Sequence, residues 1–217
     1  LLSDANPELR STGRLAYGLL PPLAAAFVVL LTARPTLAGF LVPSHCHAGE
    51  CGVHAPVFSA GAPVAVALAA VSGLVLLVFI AALTWGLRCA QRRFRALRAL
   101  SHPAEGRDFR LLDSPGLLAW CMGLWRPEVV LSRGLVEHLE PAQLRAVLCH
   151  EQAHAERGDN LRAFLLHWAT VPWPRTARNR IREDLEFDNE LCCDRLAATR
   201  VGDPGLVAGA IRRLAEA

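Results

Sequence analysis

Two histidines four residues apart, with a glutamate directly after the first, form the pattern in this chain that can do chemistry. They are His150 and His154, and the glutamate is Glu151. Residues at this spacing lie on one face of an α-helix, about 5–6 Å apart at Cβ, so both imidazoles can reach one metal ion. Imidazole nitrogens bind Zn²⁺ at about 2 Å, and a carboxylate at the second position can serve as general base in metal-assisted peptide hydrolysis. The spacing predicts a zinc site with His150 and His154 as metal ligands and Glu151 as catalytic residue.

The flanking residues predict the helix that this spacing requires. Pro141 suits the first helical position and Gly158 suits the position just after the last turn. Leu144, Val147 and Leu148 recur at helical spacing and give the helix an apolar side. The competing interpretation is a chance pattern, with two partly buried histidines and a solvated glutamate. Further candidate ligands downstream argue against it.

A catalytic zinc site takes three protein ligands and leaves a fourth position open. A second predicted helix, residues 179–199, contains Glu190 and Asp194, which are again four residues apart. Glu190 is the candidate third ligand, and Asp194 can accept the outer N–H of a ligating histidine. The other carboxylates of this helix are expected to form mostly a solvated acidic face: Glu183, Asp184, Glu186 and Asp188.

Three stretches between about residues 109 and 198 resemble the membrane-embedded gluzincin metallopeptidases of the BlaR/MecR beta-lactam sensor-transducer type. They are PEVVLSRGLVEHLEPAQLRAVLCHEQAH, then ERGDN, and then ELCCD. The resemblance implies that Glu190 is the third zinc ligand and Asp194 its supporting residue, and it places Arg157 and Asp159 where the family has an Arg and an Asp. Membrane proteases that process prenylated proteins, with their bacterial heat-shock relatives, share the zinc helix and are the nearest alternative.

The resemblance implies an α+β fold, a mainly helical, zincin-like domain with a small β-sheet. It also implies regulated cleavage of a protein substrate, either the chain itself or a cytoplasmic transcriptional repressor, in a signal response such as antibiotic resistance. Two alternatives remain: a non-catalytic membrane transducer with a structural zinc site, and a general quality-control or prenyl-protein-type zinc protease. Glu151 argues against the non-catalytic alternative, because a structural site needs no general base.

The composition favours a membrane protein, with 53% hydrophobic residues and a mean hydropathy of +0.28. Residues 15–33 and 55–87 carry no charge, and about 20 apolar residues suffice to span a bilayer. We therefore expect transmembrane helices at about 15–33 and 62–87, the first kinked by Pro21 and Pro22. The expected organisation is a membrane region over residues 1–100 and a zinc metallopeptidase domain over 101–217, with the chain a fragment truncated at its C-terminal side.

Arginines set the expected orientation, because basic residues favour the cytoplasmic side of a membrane. Five follow the second apolar run: Arg88, Arg92, Arg93, Arg95 and Arg98. We expect the catalytic domain in the cytoplasm, the loop between the spans outside, and a bacterial inner-membrane location. A basic segment beside a membrane span is expected to contact anionic lipid rather than nucleic acid.

The loop between the spans contains Cys46 and Cys51, for which an oxidising compartment favours a disulfide. His45, His47 and His54 crowd the same loop, so a small metal site is the alternative. The remaining cysteines are expected to be reduced, with the adjacent Cys192 and Cys193 serving in packing.

Three short apolar runs, at 109–112, 117–122 and 127–131, predict short strands separated by turns. The resemblance implies that they form a small sheet beside the zinc helix and that one edge accepts the substrate as an added strand; a structural sheet with a covered edge is the alternative. The sole tyrosine, Tyr17, lies far upstream, so the residue that stabilises the oxyanion stays open among His167, Asn189 and Arg195. The apolar stretch at 161–174 is too short to span a membrane, and we expect it to pack in the core or lie at the membrane surface.

Overall fold

The computed structural model describes residues 6–33, 45–47, 50–52 and 63–215, with the backbone alone at 29–33, 45–47, 50–52, 63–66, 68–69, 211 and 213–215. Helices dominate these residues, and a small mixed sheet accompanies them, in agreement with the α+β expectation. The helices are α1 (Pro7–Ala33), α2 (Pro63–Leu100), α3 (Arg133–His138), α4 (Pro141–Arg157), α5 (Asp159–Ala169), α6 (Arg175–Val201) and α7 (Pro204–Ala215).

The chain divides into two compact units, Leu1–Gly18 with Gly86–Ala217, and Leu19–Trp85. In the larger unit, the first turns of α1 and the last turns of α2 pack with the candidate catalytic region, and the expected division into a membrane region and a peptidase domain at residue 100 stays a prediction. Small residues permit the close approach of these turns. A Cβ on Gly18 would lie 2.2 Å from the side chain of Leu166, and one on Gly86 would lie 2.6 Å from the ring of Trp168.

The described strands are β1 (His45–His47) and β2 (Glu50–Gly52) in the smaller unit, and β3 (Ser101–Pro103), β4 (Arg110–Leu112), β5 (Ala119–Met122) and β6 (Glu128–Ser132) in the larger unit. The last four form a mixed sheet in the order β3, β4, β6, β5. β4 runs parallel to β6, whereas β3 on β4 and β5 on β6 are antiparallel. The three predicted apolar runs are therefore strands β4, β5 and β6. β3 was missed because Ser-His-Pro carries no alternating apolar signal.

The ends of α4 and α6, the two helices that carry the candidate ligands, lie at or close to the positions predicted from the sequence. α4 starts with Pro141 at its first position, and the Glu140 N–H donates to the side chain of Gln143 at 3.3 Å. It ends at Gly158, whose φ of 65° is left-handed and costs glycine little. α6 begins four residues before the predicted 179 and ends two after 199. Most of α5 lies in the apolar stretch 161–174, which was expected to pack in the core or lie at the membrane surface. Its Leu166 is fully buried, so this part of the stretch packs in the core.

The core of the larger unit joins the sheet to α3, α4, α6 and α7. Its buried residues include Val129 and Leu131 of β6, Leu135 of α3, Val147 of α4 and Val207 of α7. A second cluster, Leu166, Ile181 and Leu185, packs α5 against α6 and is covered by Leu15 and Trp173. The first cluster fixes α4 and α6 side by side and the second fixes α5 against α6, which together position the candidate site.

Among the described residues, one helical segment, Ala70–Leu100, is long and apolar enough to cross a membrane. Its most apolar stretch has a mean hydropathy of 2.3 and no buried residue. The expected first span at about 15–33 is helical within α1 but does not meet this criterion over its described part, and it stays a prediction. In the smaller unit, strands β1 (His45–His47) and β2 (Glu50–Gly52) pair antiparallel with Cys46 opposite Cys51. The side chains of this loop lie outside the described residues, so its disulfide and metal alternatives both stay open.

Candidate metal centre

The structure brings together the three residues that the sequence predicts as metal ligands. The Nε2 atoms of His150 and His154 on α4 lie 3.2 Å apart. The carboxylate of Glu190 on α6 faces both, with one oxygen 3.3 Å from His150 Nε2 and the other 3.4 Å from His154 Nε2. The side chain of Glu190 is half exposed, so the cluster is open to solvent on one side.

These distances fit a zinc ion. Ligand atoms at 2.0–2.1 Å from a tetrahedral zinc are separated by about 3.3–3.4 Å. Here the two Nε2 atoms lie 3.2 Å apart, and each has a different Glu190 oxygen near it, at 3.3 Å from His150 and 3.4 Å from His154. Two imidazole nitrogens and one carboxylate also leave one tetrahedral position open, as a catalytic site requires. The donor set and its spacing therefore suit Zn²⁺ held by His150, His154 and Glu190.

Each of the two histidines has a carboxylate behind it. Asp194 Oδ1 lies 2.9 Å from Nδ1 of His150, and Asp159 Oδ2 lies 2.9 Å from Nδ1 of His154. Such partners fix which ring nitrogen carries the proton and turn the other nitrogen towards the metal. The sequence predicted Asp194 for this position. Asp159 was noted only as part of the resemblance, and the left-handed turn at Gly158 is what returns it towards His154.

The carboxylates dominate the electrostatics of the cluster. Burial opposes the charged form of His150, but hydrogen bonds to Asp194 and Glu190 outweigh it and raise its pKa to about 9. Burial likewise opposes the charge on His154, while Asp159, Cys193 and Glu190 raise its pKa to about 12. The two histidines in turn hold the pKa of Glu190 at about 2. The cluster thus stabilises positive charge, which a metal dication can supply in place of the protons.

A second group of candidate ligands shares His154 and adds Asp159 and Cys193. Two features make it a supporting group rather than a metal site. Burial raises the pKa of the Cys193 thiol, whereas metal ligation needs a thiolate. The Asp159 carboxylate already pairs with Arg157 at 3.3 Å and lies 3.8 Å from Arg162. Cys193 lies 3.6 Å from Asp159, so it packs beneath that carboxylate.

Glu151 shares a cavity of about 200 Å³ with His150, Glu190 and Asp194. On the other face of the cluster, His154 and Glu190 line a cleft of about 470 Å³ between α5 and α6. Burial raises the pKa of Glu151 above its ordinary value, although His150 and His154 oppose the shift. A raised pKa suits a carboxylate that must take up a proton near neutral pH.

The edge strand β5 lies beside Glu151. The Ser132 N–H donates to the Leu118 carbonyl at 2.9 Å. Because hydrogen-bonded and non-hydrogen-bonded pairs alternate along an antiparallel ladder, the backbone N–H and C=O groups of Ala119 and Cys121 point away from β6. These outward groups of Cys121 already have partners. Its carbonyl accepts a hydrogen bond from the Asn160 side chain at 3.0 Å, and its backbone also forms a hydrogen bond with the Glu151 carboxylate. The edge is therefore covered at Cys121, while among the described residues no hydrogen bond to a side chain covers the backbone of Ala119.

The first turns of α1 contact the residues that directly precede Glu190. Asp188 is fully buried and pairs with Arg10 at 2.8 Å and with Arg14. Asn189, also buried, accepts from the Ser11 hydroxyl at 2.6 Å. The expectation of a solvated acidic face was therefore wrong for Asp188. Nothing in the apolar periodicity of α6 could reveal it, because its partners lie almost 180 residues earlier in the chain.

Of the three residues considered for oxyanion stabilisation, only Asn189 lines the cleft that His154 and Glu190 share. Asn189 is occupied by Ser11 and Arg157, and Arg195 contacts Asn6 at 3.4 Å. His167 lines a different cavity, beside Phe164 and Arg182. None of the three lines the small cavity that Glu151 faces.

Comparison with known proteins matches residues 86–173 to Peptidase family M48. The matched segment contains the sheet, α4 and α5, and therefore His150, Glu151 and His154, whereas Glu190 and Asp194 lie beyond it. No curated protein and no solved structure matches the chain. The match supports a membrane-associated zinc metallopeptidase. It does not show the sensor-transducer type that the sequence analysis expected.

Proposed function

We propose that this chain is a membrane-bound zinc endopeptidase in which His150, His154 and Glu190 hold the metal and Glu151 is the general base. The observation that carries the proposal is the pair of Nε2 atoms 3.2 Å apart, with one Glu190 oxygen 3.3 Å from that of His150 and the other oxygen 3.4 Å from that of His154. When bound, zinc supplies Lewis-acid chemistry by polarising a peptide carbonyl and making water more acidic.

The chain's own residues account for the remaining roles. Glu151, with its raised pKa, takes a proton from the attacking water and can deliver it to the leaving amine. Asp159 orients His154 through a hydrogen bond to its Nδ1, and Asp194 lies at ion-pair distance from Nδ1 of His150. An extended substrate pairs with the outer edge of β5 at Ala119, the position facing away from β6.

The substrate is a protein or peptide, and regulated cleavage of the chain itself or of a cytoplasmic repressor fits the arrangement. Support comes from the contacts of α1 with α6. Ser11 and Arg10 bind the two residues directly before Glu190, so a displacement of α1 acts on the backbone that carries a metal ligand. The Arg-rich end of α2 supports a cytoplasmic catalytic domain on an inner membrane.

The proposal is tested with Glu151→Gln in the detergent-solubilised full chain. Wild-type protein and variant are loaded with zinc and incubated with a peptide library, and new termini are identified by mass spectrometry. We expect the variant to retain stoichiometric zinc and to lose cleavage by at least about a hundredfold, since a general base contributes about 10²–10⁴. Glu137→Gln, at an exposed position of α3, is the matched control and should cleave normally.

Two outcomes contradict the proposal. Cleavage by Glu151→Gln at the wild-type rate rules out this carboxylate as the base. Zinc-loaded wild type that cleaves neither itself nor any library peptide favours the alternative in which zinc only joins α4 to α6.

A further inference from the structure

A cavity of about 680 Å³ lies apart from the candidate metal centre, between the end of α2, the turn joining β5 to β6, and α5. Its size falls in the range of about 300–1,000 Å³ typical of small-molecule sites. The zinc ligands do not line it. What it could bind follows from its lining, its charge and its place in the chain.

The lining combines an apolar floor with a basic rim. Phe94, Leu97, Met122, Leu124 and Phe164 supply the apolar surface. The charged side chains that line the cavity are all arginines, namely Arg93, Arg95, Arg98, Arg126 and Arg182. A site with this composition suits an amphiphile with an apolar body and a negatively charged end.

Most of this positive charge is uncompensated. Arg98 pairs with Glu128 at 3.3 Å. Across the residues that the structure describes, no ion pair involves Arg93, Arg95, Arg126 or Arg182. His167, on the cavity wall, has its pKa lowered by burial and by the nearby charges of Arg182 and Arg178. An anion is therefore the missing counter-charge.

The position of the cavity along α2 indicates where that anion comes from. Its first lining residue, Ala90, follows three residues after Leu87, the end of the uncharged run. At 1.5 Å per residue this is about 5 Å of helix, within the depth of a lipid headgroup layer. Trp125 on the rim is two-thirds exposed, as interfacial tryptophans often are.

We propose that this cavity binds one membrane phospholipid with an anionic headgroup, whose phosphate is held by Arg126 and Arg182 and whose acyl chain lies on the apolar floor. Guanidinium groups suit phosphate because their paired N–H groups match two phosphate oxygens. The lipid rests against Gly123, whose carbonyl, like that of Cys121, accepts from Asn160. It thereby braces the end of β5 nearest Glu151.

The test is a lipid titration of the detergent-solubilised full chain, read by native mass spectrometry. Dioleoyl phosphatidylglycerol and dioleoyl phosphatidylcholine are compared on wild type, on Arg126→Gln with Arg182→Gln, and on the matched control Arg145→Gln with Arg212→Gln. Both control positions are exposed and lie outside the cavity. Zinc content verifies that each variant is folded.

We expect wild type and control to retain one phosphatidylglycerol in preference to phosphatidylcholine. The cavity variant should bind it at least about tenfold more weakly, because it loses charge-assisted hydrogen bonds to the phosphate. Water-soluble glycerol phosphate should not displace the lipid, because the acyl chain contributes to binding.

Equal binding of the two lipids, or equal loss in the cavity and control variants, overturns the proposal. Displacement of the lipid by an acidic apolar peptide, with no preference between the two headgroups, assigns the cavity to a peptide instead. The titration measures binding alone, so its result is independent of whether Glu151 acts as a catalytic base.

Discussion

Asp159 Oδ2 lies 2.9 Å from Nδ1 of His154, although the two residues belong to different helices. Gly158 makes this possible, since its φ of 65° ends α4 and begins α5 with a sharp change of direction. The carboxylate is buried and also contacts Arg157, which balances its charge. The Asp159 side chain thus connects His154 to Arg157, which in turn contacts Ser11 of α1 and Asn189 of α6.

Replacement of Asp159 by Asn should weaken zinc binding by about 10–100-fold, the usual cost of losing a carboxylate behind a ligating histidine. The amide keeps the shape but loses the charge that holds the proton on Nδ1. Competition with a chelator at fixed pH gives the zinc affinity. Asp108→Asn, at an exposed position outside the cluster, is the control and should bind zinc normally. An unchanged affinity in Asp159→Asn means that this carboxylate does not orient His154.

The third ligand is tested by comparing Glu190→Ala with Glu186→Ala. The two carboxylates lie one helical turn apart, but the oxygens of Glu190 contact His150 and His154 at 3.3 and 3.4 Å. Glu186 is exposed in the cleft beside them. Glu190→Ala should lower zinc affinity by more than loss of a supporting residue does, and Glu186→Ala should leave it nearly unchanged. The reverse result, measured as zinc content after dialysis, shifts the assignment by one turn.

Zinc binding should depend steeply on pH. The carboxylates raise the pKa of His150 to about 9 and that of His154 to about 12, so the metal-free cluster carries an extra proton near neutral pH. Zinc needs the neutral rings, so affinity should rise about tenfold per pH unit below pH 9 for each proton that binding releases. In the metal-free protein the sign is opposite. The stability contributed by His150 is fully present below its unfolded pKa and is lost as pH rises through about 9.

Chelator competition at three pH values between about 6.5 and 8.5 measures this slope, after correction for the chelator's own protonation. Asp194→Asn removes a carboxylate that raises the pKa of His150, so its slope should be shallower than that of wild type. An affinity that does not change with pH in wild-type protein contradicts protonated histidines in the metal-free cluster.

Local signals in the sequence were sufficient for the parts of the site that lie on one element. Pro141 and Gly158 set the ends of α4, and the spacing of His150 and His154 then fixed their common face. The four-residue step from Glu190 to Asp194 likewise set which side of α6 meets them. Such features depend on helix geometry alone and need no knowledge of the partner helix.

Features that depend on distant residues could not be read from local pattern. Asp188 looked like a member of a solvated face because its neighbours in sequence are acidic, yet the residues that bury it are Arg10 and Arg14. Asn160 gave no signal either, since its role comes from the position of β5 relative to α5. Long-range pairing of polar groups leaves no periodicity in the sequence of either partner.

The ion pairs of Asp188 give the last prediction, which concerns stability. Asp188 is fully buried, and Arg10 and Arg14 are largely so, hence its removal takes the buried counter-charge away from these two pairs. Asp188→Ala should therefore lower the free energy of unfolding by about 3–5 kcal/mol. Asp184→Ala is the matched control one turn earlier. That carboxylate is half exposed and 3.8 Å from Arg14, so its loss should cost only about 0–1 kcal/mol.

Thermal unfolding of both variants in detergent, followed by circular dichroism, measures the difference. Limited proteolysis adds a local readout, because loss of the Asp188 pairs should expose the first turns of α1 to cleavage before the rest of the domain. If Asp188→Ala unfolds at the same temperature as Asp184→Ala and wild type, then these charges do not hold α1 to α6. Displacement of α1 then has no route through Asp188 to Glu190, and regulation of the metal centre by this contact is ruled out.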